Sequence, residues 1–284
     1  VVTALDGAIN STVTSLTVDS ISGFGSGSGI ESIFQEIIKI DDERMKVITG
    51  SGTTVEVIRD YHGTTAASHD DDASVILIDQ DKEFLKLLNE HLKGKMAPHR
   101  GQVFYPSALG STCDRYLYAS FNGLLLWEDL DPRIKRIFDV GSSLEDRMDM
   151  YFTKMNIVKG REVSLKMDSP PISGRLDFLI HHPTQGESVL ELKSINDKGF
   201  KELKSSPKHD HFIQLQIYLN MLNKDYGIVL YENKNDQNLK AFKVERDVEV
   251  WNTLLERCFT IMDMSALPEK CTGDTWCKCK GVTS

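Results

Sequence analysis

The sequence has no run of about 18 apolar residues, so no membrane-spanning helix is expected. Positive charge is scarce at its start. Residues 1–80 carry 13 acidic and 4 basic side chains, a balance of −9, and by bulk electrostatics such a segment is a poor binder of nucleic acid. The remaining 204 residues carry 29 of each sign, so only a local cluster could bind there. Cysteine is also sparse. Five residues, an odd number, and no secretory signal rank disulfides last among the uses of these thiols. What is present, 284 residues at 40 % hydrophobic content, is enough for two globular domains.

The first 79 residues read as all-β. Short apolar runs at 15–19, 36–40, 44–48, 54–58 and 74–78 alternate with Gly/Ser/Asp turns, among them residues 23–29 and 49–52. This spacing predicts a small barrel or sandwich. Leu16-Thr17-Val18-Asp19-Ser20, Glu36-Ile37-Ile38-Lys39-Ile40 and the stretch from Arg59 through Gly63-Thr64-Thr65-Ala66-Ala67 to His69 resemble small β modules of tailed-phage virion proteins. That resemblance implies docking to phage structural proteins (portal, neck or tail), a virion location after synthesis in the host cytoplasm, and a possible homo-oligomeric ring. Residues 80–98 follow as a helical connector (Phe84, Leu85, Leu88, Leu92), closed by Gly94 and Pro98.

Residues 99–284 form the second domain. The pattern predicts helices near 107–122 and 133–155, strands near 161–167, 174–181 and 187–194, a helix at 209–223, strands at 226–232 and 239–244, and a helix at 247–264. Two of these strands carry acids. Ser188 to Lys193 is a short strand on which Glu191 and Lys193 share one face with Val189, while Leu190 and Leu192 point the other way. Arg175 to Ile180 is its hairpin partner, which brings Asp177 beside Glu191. Two adjacent carboxylates repel, and a hard divalent cation, Mg²⁺ or Mn²⁺, relieves that repulsion. Such an ion lowers the pKa of a bound water and stabilises charge on a phosphate. Lys193 could orient or deprotonate the water, or neutralise developing charge. A lone Glu-x-Lys is commonplace on solvated hairpins. Joined to Gly174-Arg175-Leu176-Asp177 and to a following helix with Gln214 and Tyr218 four apart, it becomes the better bet as a site. In that helix Phe212, Leu215, Leu219 and Leu222 form the expected buried stripe.

Together these segments resemble the PD-(D/E)XK nuclease superfamily in its RecB-like exonuclease branch. The resemblance implies an α+β chain overall, a small all-β barrel or sandwich followed by an α/β PD-(D/E)XK core, acting on DNA. It implies Asp177 and Glu191 as metal ligands, with Glu145 on the upstream helix and the Leu192 carbonyl completing the shell. Lys193 becomes the catalytic lysine, and Gln214 and Tyr218 position DNA or the site. Lys193, Lys198, Lys201, Lys204 and Lys208 would supply sequence-independent affinity by counterion release.

Cys113 precedes these motifs and Cys271, Cys277 and Cys279 follow them, while Cys258 falls on the buried spacing of a helix. The one-plus-three distribution resembles that of iron–sulfur RecB-like nucleases, including the CRISPR-associated exonucleases. It implies a [4Fe–4S] cluster on the four outer thiolates, with a structural Zn²⁺ on the same set as the alternative. The resulting expectation is a virion-associated, metal-dependent deoxyribonuclease, more exonuclease than endonuclease. Two alternatives stand beside it: a structural neck or tail adaptor with an inactive or masked nuclease fold, and a free phage replication or recombination nuclease.

Overall fold

A computed structural model describes residues 2–20, 36–95, 101–125 and 129–271, with residues 277, 279 and 282. The chain divides into two compact units, Val1–Leu92 and Lys93–Ser284. Among the described residues no helix is long and apolar enough to cross a membrane.

The first unit is the expected small β module. Strands β1 (Val2–Ala4), β2 (Ser15–Thr17), β3 (Ile37–Ile40), β4 (Glu43–Ser51), β5 (Thr54–Ile58) and β6 (Ser74–Ile78) pair antiparallel in the order β1-β6-β3-β4-β5-β2. A bridge between Leu5 and Val18 joins the two ends of that order, so the sheet closes on itself as a barrel. Period-two alternation builds the interior: Met45 and Val47 point in from β4, with Leu5, Leu16, Ile38 and Val57 around them, all buried. The turn at residues 23–29 lies outside the described residues. Helix α1 (Gln80–Leu92) is counted within this unit rather than standing apart as a connector, and Arg44 donates to Glu83 across 2.6 Å. Residues 96–98 of the expected connector lie outside the described residues. The side chains that gave α1 its pattern, Phe84, Leu85 and Leu88, are exposed.

The motif read at residues 59–69 has an internal purpose. Arg59 donates to both carboxylate oxygens of Glu43 at 2.6 Å and to the carbonyls of Asn10, Val13 and Ala67. His69 bridges Glu43 (3.0 Å) and Asp41 (2.7 Å). These polar groups knit the loops at residues 10–13, 41–43 and 59–69 together.

The second unit is a five-stranded sheet between helices. A short ribbon of β7 (Gly94–Lys95) and β8 (Asp129–Leu130) accompanies it. The helix expected near 107–122 is two helices, α2 (Pro106–Leu109) and α3 (Asp114–Phe121). They separate at Gly110, where an added Cβ would come within 2.6 Å of the Asp210 backbone, so α2 packs too closely for any other residue to continue the pattern unchanged. The sheet order is β13 (Leu239–Glu245), β12 (Tyr226–Asn233), β11 (Gly186–Ile195), β10 (Pro171–His182), β9 (Val158–Asp168). Only β11 and β12 are parallel. Helices α5 (Asp197–Glu202) and α6 (His209–Leu222) form the crossover between them.

One face of the sheet is covered by α4 (Pro132–Lys154), capped by Asp131. Leu144, Met148 and Phe152 of α4 pack on Phe178, Leu190, Leu192 and Leu230. The other face is covered by α6, and a further layer of α2, α3 and α7 (Val248–Asp263) lies outside it. Helix α6 is therefore buried on nearly all sides, including Ile213, Gln214, Gln216, Ile217 and Tyr218, and is not the one-striped amphipathic helix its pattern suggested.

Candidate active site

Antiparallel pairing of β10 with β11 runs from His182 opposite Gly186 to Phe178 opposite Leu190, and is not continued beyond Phe178. There Asp177 Oδ2 accepts the Leu192 N–H at 2.7 Å, a side-chain oxygen standing in for a ladder carbonyl. Gly174 lies on the same strand. A Cβ there would meet Pro106 at 2.6 Å and the Tyr218 ring at 3.1 Å, so glycine lets both approach this end of β10.

Glu191 is 0 % exposed. Its Oε1 accepts from Lys193 Nζ at 2.6 Å and from Gln214 Nε2 at 2.6 Å, whereas its Oε2 is buried with no hydrogen-bond partner. A carboxylate oxygen without a partner in the interior is costly. The charges acting on Glu191 are the acids Asp177 and Glu145 and the single cation Lys193, a balance that a further cation would relieve. Burial first, and then the neighbouring Asp177 and Glu145 charges, push the Glu191 carboxyl up to about 8 despite Lys193. Burial likewise raises Asp177, against Lys193 and the Leu192 N–H. Burial alone would lower Lys193, but the carboxylates of Glu191, Asp177 and Glu145 outweigh it and keep the amine protonated.

Glu145 on α4 lines a cavity with Leu192 and Lys193. Partial burial and the charges of Asp177 and Glu162 raise its carboxyl. Among the described residues, its oxygens are not gathered with those of Asp177 and Glu191 into a set like that of the cysteine sulfurs described below. Its neighbour Asp146 instead pairs with Arg161. Glu162, held by Arg175 at 3.0 Å, was not selected from the sequence, yet its charge reaches both Asp177 and Glu145. Its only signal is a place on β9 beside the acidic strand.

Gln214 and Tyr218 do not face solvent. They are 7 % and 2 % exposed, and Tyr218 donates to the Arg175 carbonyl at 3.0 Å. They hold Glu191 and the backbone of β10, and their burial leaves no surface for a DNA chain. His211, one turn earlier, meets the Tyr231 hydroxyl at 2.7 Å, and burial lowers it to about 4. Lys198, Lys201, Lys204 and Lys208 are exposed, with Lys201 paired to Asp197 at 2.6 Å.

The four outer cysteines come together. Cys113 is the N-cap of α3, its Sγ accepting from Tyr116 N. The sulfurs of Cys113, Cys271, Cys277 and Cys279 all lie within 4.8 Å of one another. Cys271 is 3.8 Å from Cys113 and 3.2 Å from Cys279, and the hydrogen bond from Cys271 pulls the Cys279 thiol down to about 7. Arg115, donating to the Pro268 carbonyl at 2.6 Å, ties α3 to the segment after α7. Cys258 stays apart in the core, with burial raising its thiol to about 12.

No family model matches this sequence, and no curated protein does. Among solved structures the chain is similar to SSO0001 at 20 % identity, covering 65 % of this chain and 85 % of that one with a TM-score of 0.41. It is similar to an alkaline exonuclease, LHK-Exo from Laribacter hongkongensis, at 13 % identity, 62 % and 90 % coverage and a TM-score of 0.39. A phage related exonuclease from Haemophilus somnus is similar at 15 % identity, 43 % and 66 % coverage and a TM-score of 0.33. At these TM-scores the likeness carries no weight for function.

Proposed function

We propose that the second unit is a metal-dependent deoxyribonuclease of PD-(D/E)XK type, hydrolysing phosphodiester bonds. The observation that carries this reading is the buried Glu191 carboxylate. One of its oxygens is held by Lys193 and Gln214, the other lacks a partner, and Asp177 and Glu145 both act on it electrostatically. Asp177 and Glu191 would hold a hard divalent cation, Mg²⁺ or Mn²⁺, with Glu145 and the Leu192 carbonyl as further oxygen donors. That ion would supply an activated water and charge stabilisation at the phosphate. Lys193 contributes an amine that stabilises negative charge on the reacting phosphate, or orients or deprotonates the attacking water. Gln214 and Tyr218 keep the Glu191 carboxylate and the β10 backbone in place.

Purified full-length chain with Mn²⁺ is expected to degrade linear DNA, and Lys193→Ala to slow this by about 10²–10³-fold, the usual loss of one charge-stabilising donor. Intact single- and double-stranded DNA after incubation, or a Lys193→Ala variant as fast as the parent, would overturn the reading.

For the four cysteines we propose one tetrahedral ion. Zinc–sulfur bonds of about 2.3 Å put the sulfurs of a four-thiolate site roughly 3.8 Å apart, and the four sulfurs here all lie within 4.8 Å of one another. The thiolates of a [4Fe–4S] cluster sit on separate irons and stand further apart, so the cluster would require these sulfurs to move outward.

The first unit contributes none of the site residues. Its exposed apolar side chains Phe84, Leu85, Leu87 and Leu88 support a protein-docking role. A phage neck or tail component is the partner its sequence motif suggests, and mass spectrometry of purified virions tests it.

A further inference from the structure

The apolar stripe of α4 is longer than the surface that covers it. Leu144, Met148 and Phe152 are buried against the sheet, but Ile137, Phe138 and Val140, one to two turns nearer the helix start, are 37 %, 51 % and 49 % exposed. They do not face open solvent on all sides. Ile137 and Phe138 line a cavity of about 440 Å³ whose other walls include Glu145, Leu192, Lys193 and Lys234. A second cavity of about 490 Å³ shares Leu144, Ser194 and Lys234 with the first and extends to Val140, Arg147 and Gln237. The two meet at these shared residues, one on each flank of α4, and together form a groove that starts at the candidate active site.

The charges in this groove are arranged for an anion. Its acids away from the metal site are neutralised: Asp139 pairs with Lys135, and Glu232 with Arg147. Lys234 is exposed and forms no ion pair among the described residues. Gly141 lies on the α4 wall, and a Cβ there would meet nothing within 4 Å, so the wall is open at that turn. An aromatic ring and an aliphatic wall on one side, with lysines on the other, suit a chain of stacked bases joined by phosphates. Each cavity has the size of a small-molecule site, room for a nucleotide but not for a duplex.

We infer that this groove holds the single strand being cut, with Phe138 as the platform on which a base beside the scissile phosphate stacks and Lys234 as a contact to the backbone. The inference rests on the nuclease reading for cleavage, but not for binding. Stacking on an aromatic ring tolerates every base, so the groove grips without reading sequence.

The test uses the full chain and a fluorescein-labelled oligothymidylate, with binding followed by anisotropy with no Mn²⁺ or Mg²⁺ added and no chelator, so that the cysteine site keeps its ion and nothing is cut. A 2-aminopurine reporter in the same strand reads stacking directly. Phe138→Ala is expected to weaken binding roughly tenfold, the lower part of the range for losing one base–aromatic stack, and to remove the quenching of the reporter. Phe138→Trp is expected to retain both. Gly141→Leu, which places a side chain in the open wall without harming the helix, is expected to weaken binding as well. In Mn²⁺ assays the loss at Phe138→Ala should fall on KM, with kcat held within about twofold. Failure of the parent to bind the oligothymidylate, or equal binding and equal quenching by Phe138→Ala, overturns the groove. A parent that binds through Phe138 yet cuts nothing overturns the nuclease reading and leaves the groove standing. A parent that cuts with a KM indifferent to Phe138 and Gly141 does the reverse.

Discussion

Replacing Gln214 by leucine removes one donor while keeping nearly the same volume in a buried place. The amide of Gln214 reaches Glu191 Oε1 at 2.6 Å, on the same oxygen that Lys193 holds. A hydrogen bond to an ionised group contributes about 1.5–3 kcal/mol, and loss of a partner that orients a metal ligand costs roughly 10–100-fold in metal affinity or activity. Glu191 would keep its amine partner but lose the contact that fixes its orientation from the α6 side. The expected result is a rise of about 10–100-fold in the Mn²⁺ concentration giving half-maximal DNA cleavage, with much of the rate recovered at saturating Mn²⁺. Gln216→Leu is the matched control. Gln216 is equally buried two residues further on, but it donates to the Glu245 carbonyl at 2.6 Å and accepts from Asp247 N at 2.8 Å, at the start of α7. It should lower thermal stability and leave the Mn²⁺ curve where it was. If both variants shift the curve equally, or neither does, Gln214 is packing and not a positioning residue.

Acid should loosen the first unit through Glu43. Burial alone would raise its carboxyl, but hydrogen bonds from Arg59, the Ala67 N–H, His69 and the Asp60 N–H outweigh burial and hold it at about 2, below the ordinary 4.5. A carboxyl lowered on folding contributes stability that is complete above pH about 4.5 and is lost as pH falls through about 2. For this shift the contribution is about 3 kcal/mol. Melting curves between pH 6 and 2 should show that loss, and Glu43→Gln, less stable at neutral pH, should flatten it; an unchanged slope in the variant refutes the assignment. Metal analysis of the purified chain should give one zinc per molecule and no visible colour. Cys113→Ser should reduce the zinc content and the stability of the second unit. A brown protein containing iron and sulfide would refute the single-ion reading.

Much of the fold was written in short-range pattern. The strands of the barrel and of the second sheet follow period-two alternation, and their predicted bounds agree with the observed ones to within a few residues. β1 escaped because three residues at a chain start carry too little pattern, and α5 because six residues make less than two turns. Harder to read was anything set by a second layer. A helix facing one surface shows a stripe, and α6 was read that way from Phe212, Leu215, Leu219 and Leu222. With α2, α3 and α7 packed on its far side, Gln214 and Tyr218 became interior props instead of surface contacts. Glu43 was invisible for a related reason. Its partners Arg59 and His69 stood out in the motif, but the acid on which they converge lies sixteen residues before the first of them.

The placement of the acids depends on where two strands stop pairing. A regular hairpin would spend the Leu192 N–H on a backbone carbonyl and keep the Asp177 carboxylate at a sheet surface. Where the β10–β11 ladder ends, Asp177 takes that N–H itself, and its second oxygen stays unused by the ladder. On the neighbouring strand Glu191 is held by one oxygen and left bare at the other. Each acid thus has one oxygen committed to fixing its direction and one without a bond to the strands around it. Gly174 supports this end of β10 from behind by admitting Pro106 and Tyr218, and Tyr218 in turn binds the Arg175 carbonyl, two residues from Asp177. A side chain at position 174 therefore acts on the chemistry without touching it. Gly174→Val should disturb the Asp177 carboxylate through the displaced Tyr218, lowering Mn²⁺ affinity as Gln214→Leu does but with a larger loss of thermal stability, since Pro106 must also move. Normal Mn²⁺ affinity in a folded Gly174→Val protein would show that the end of the ladder is set by β10 and β11 alone.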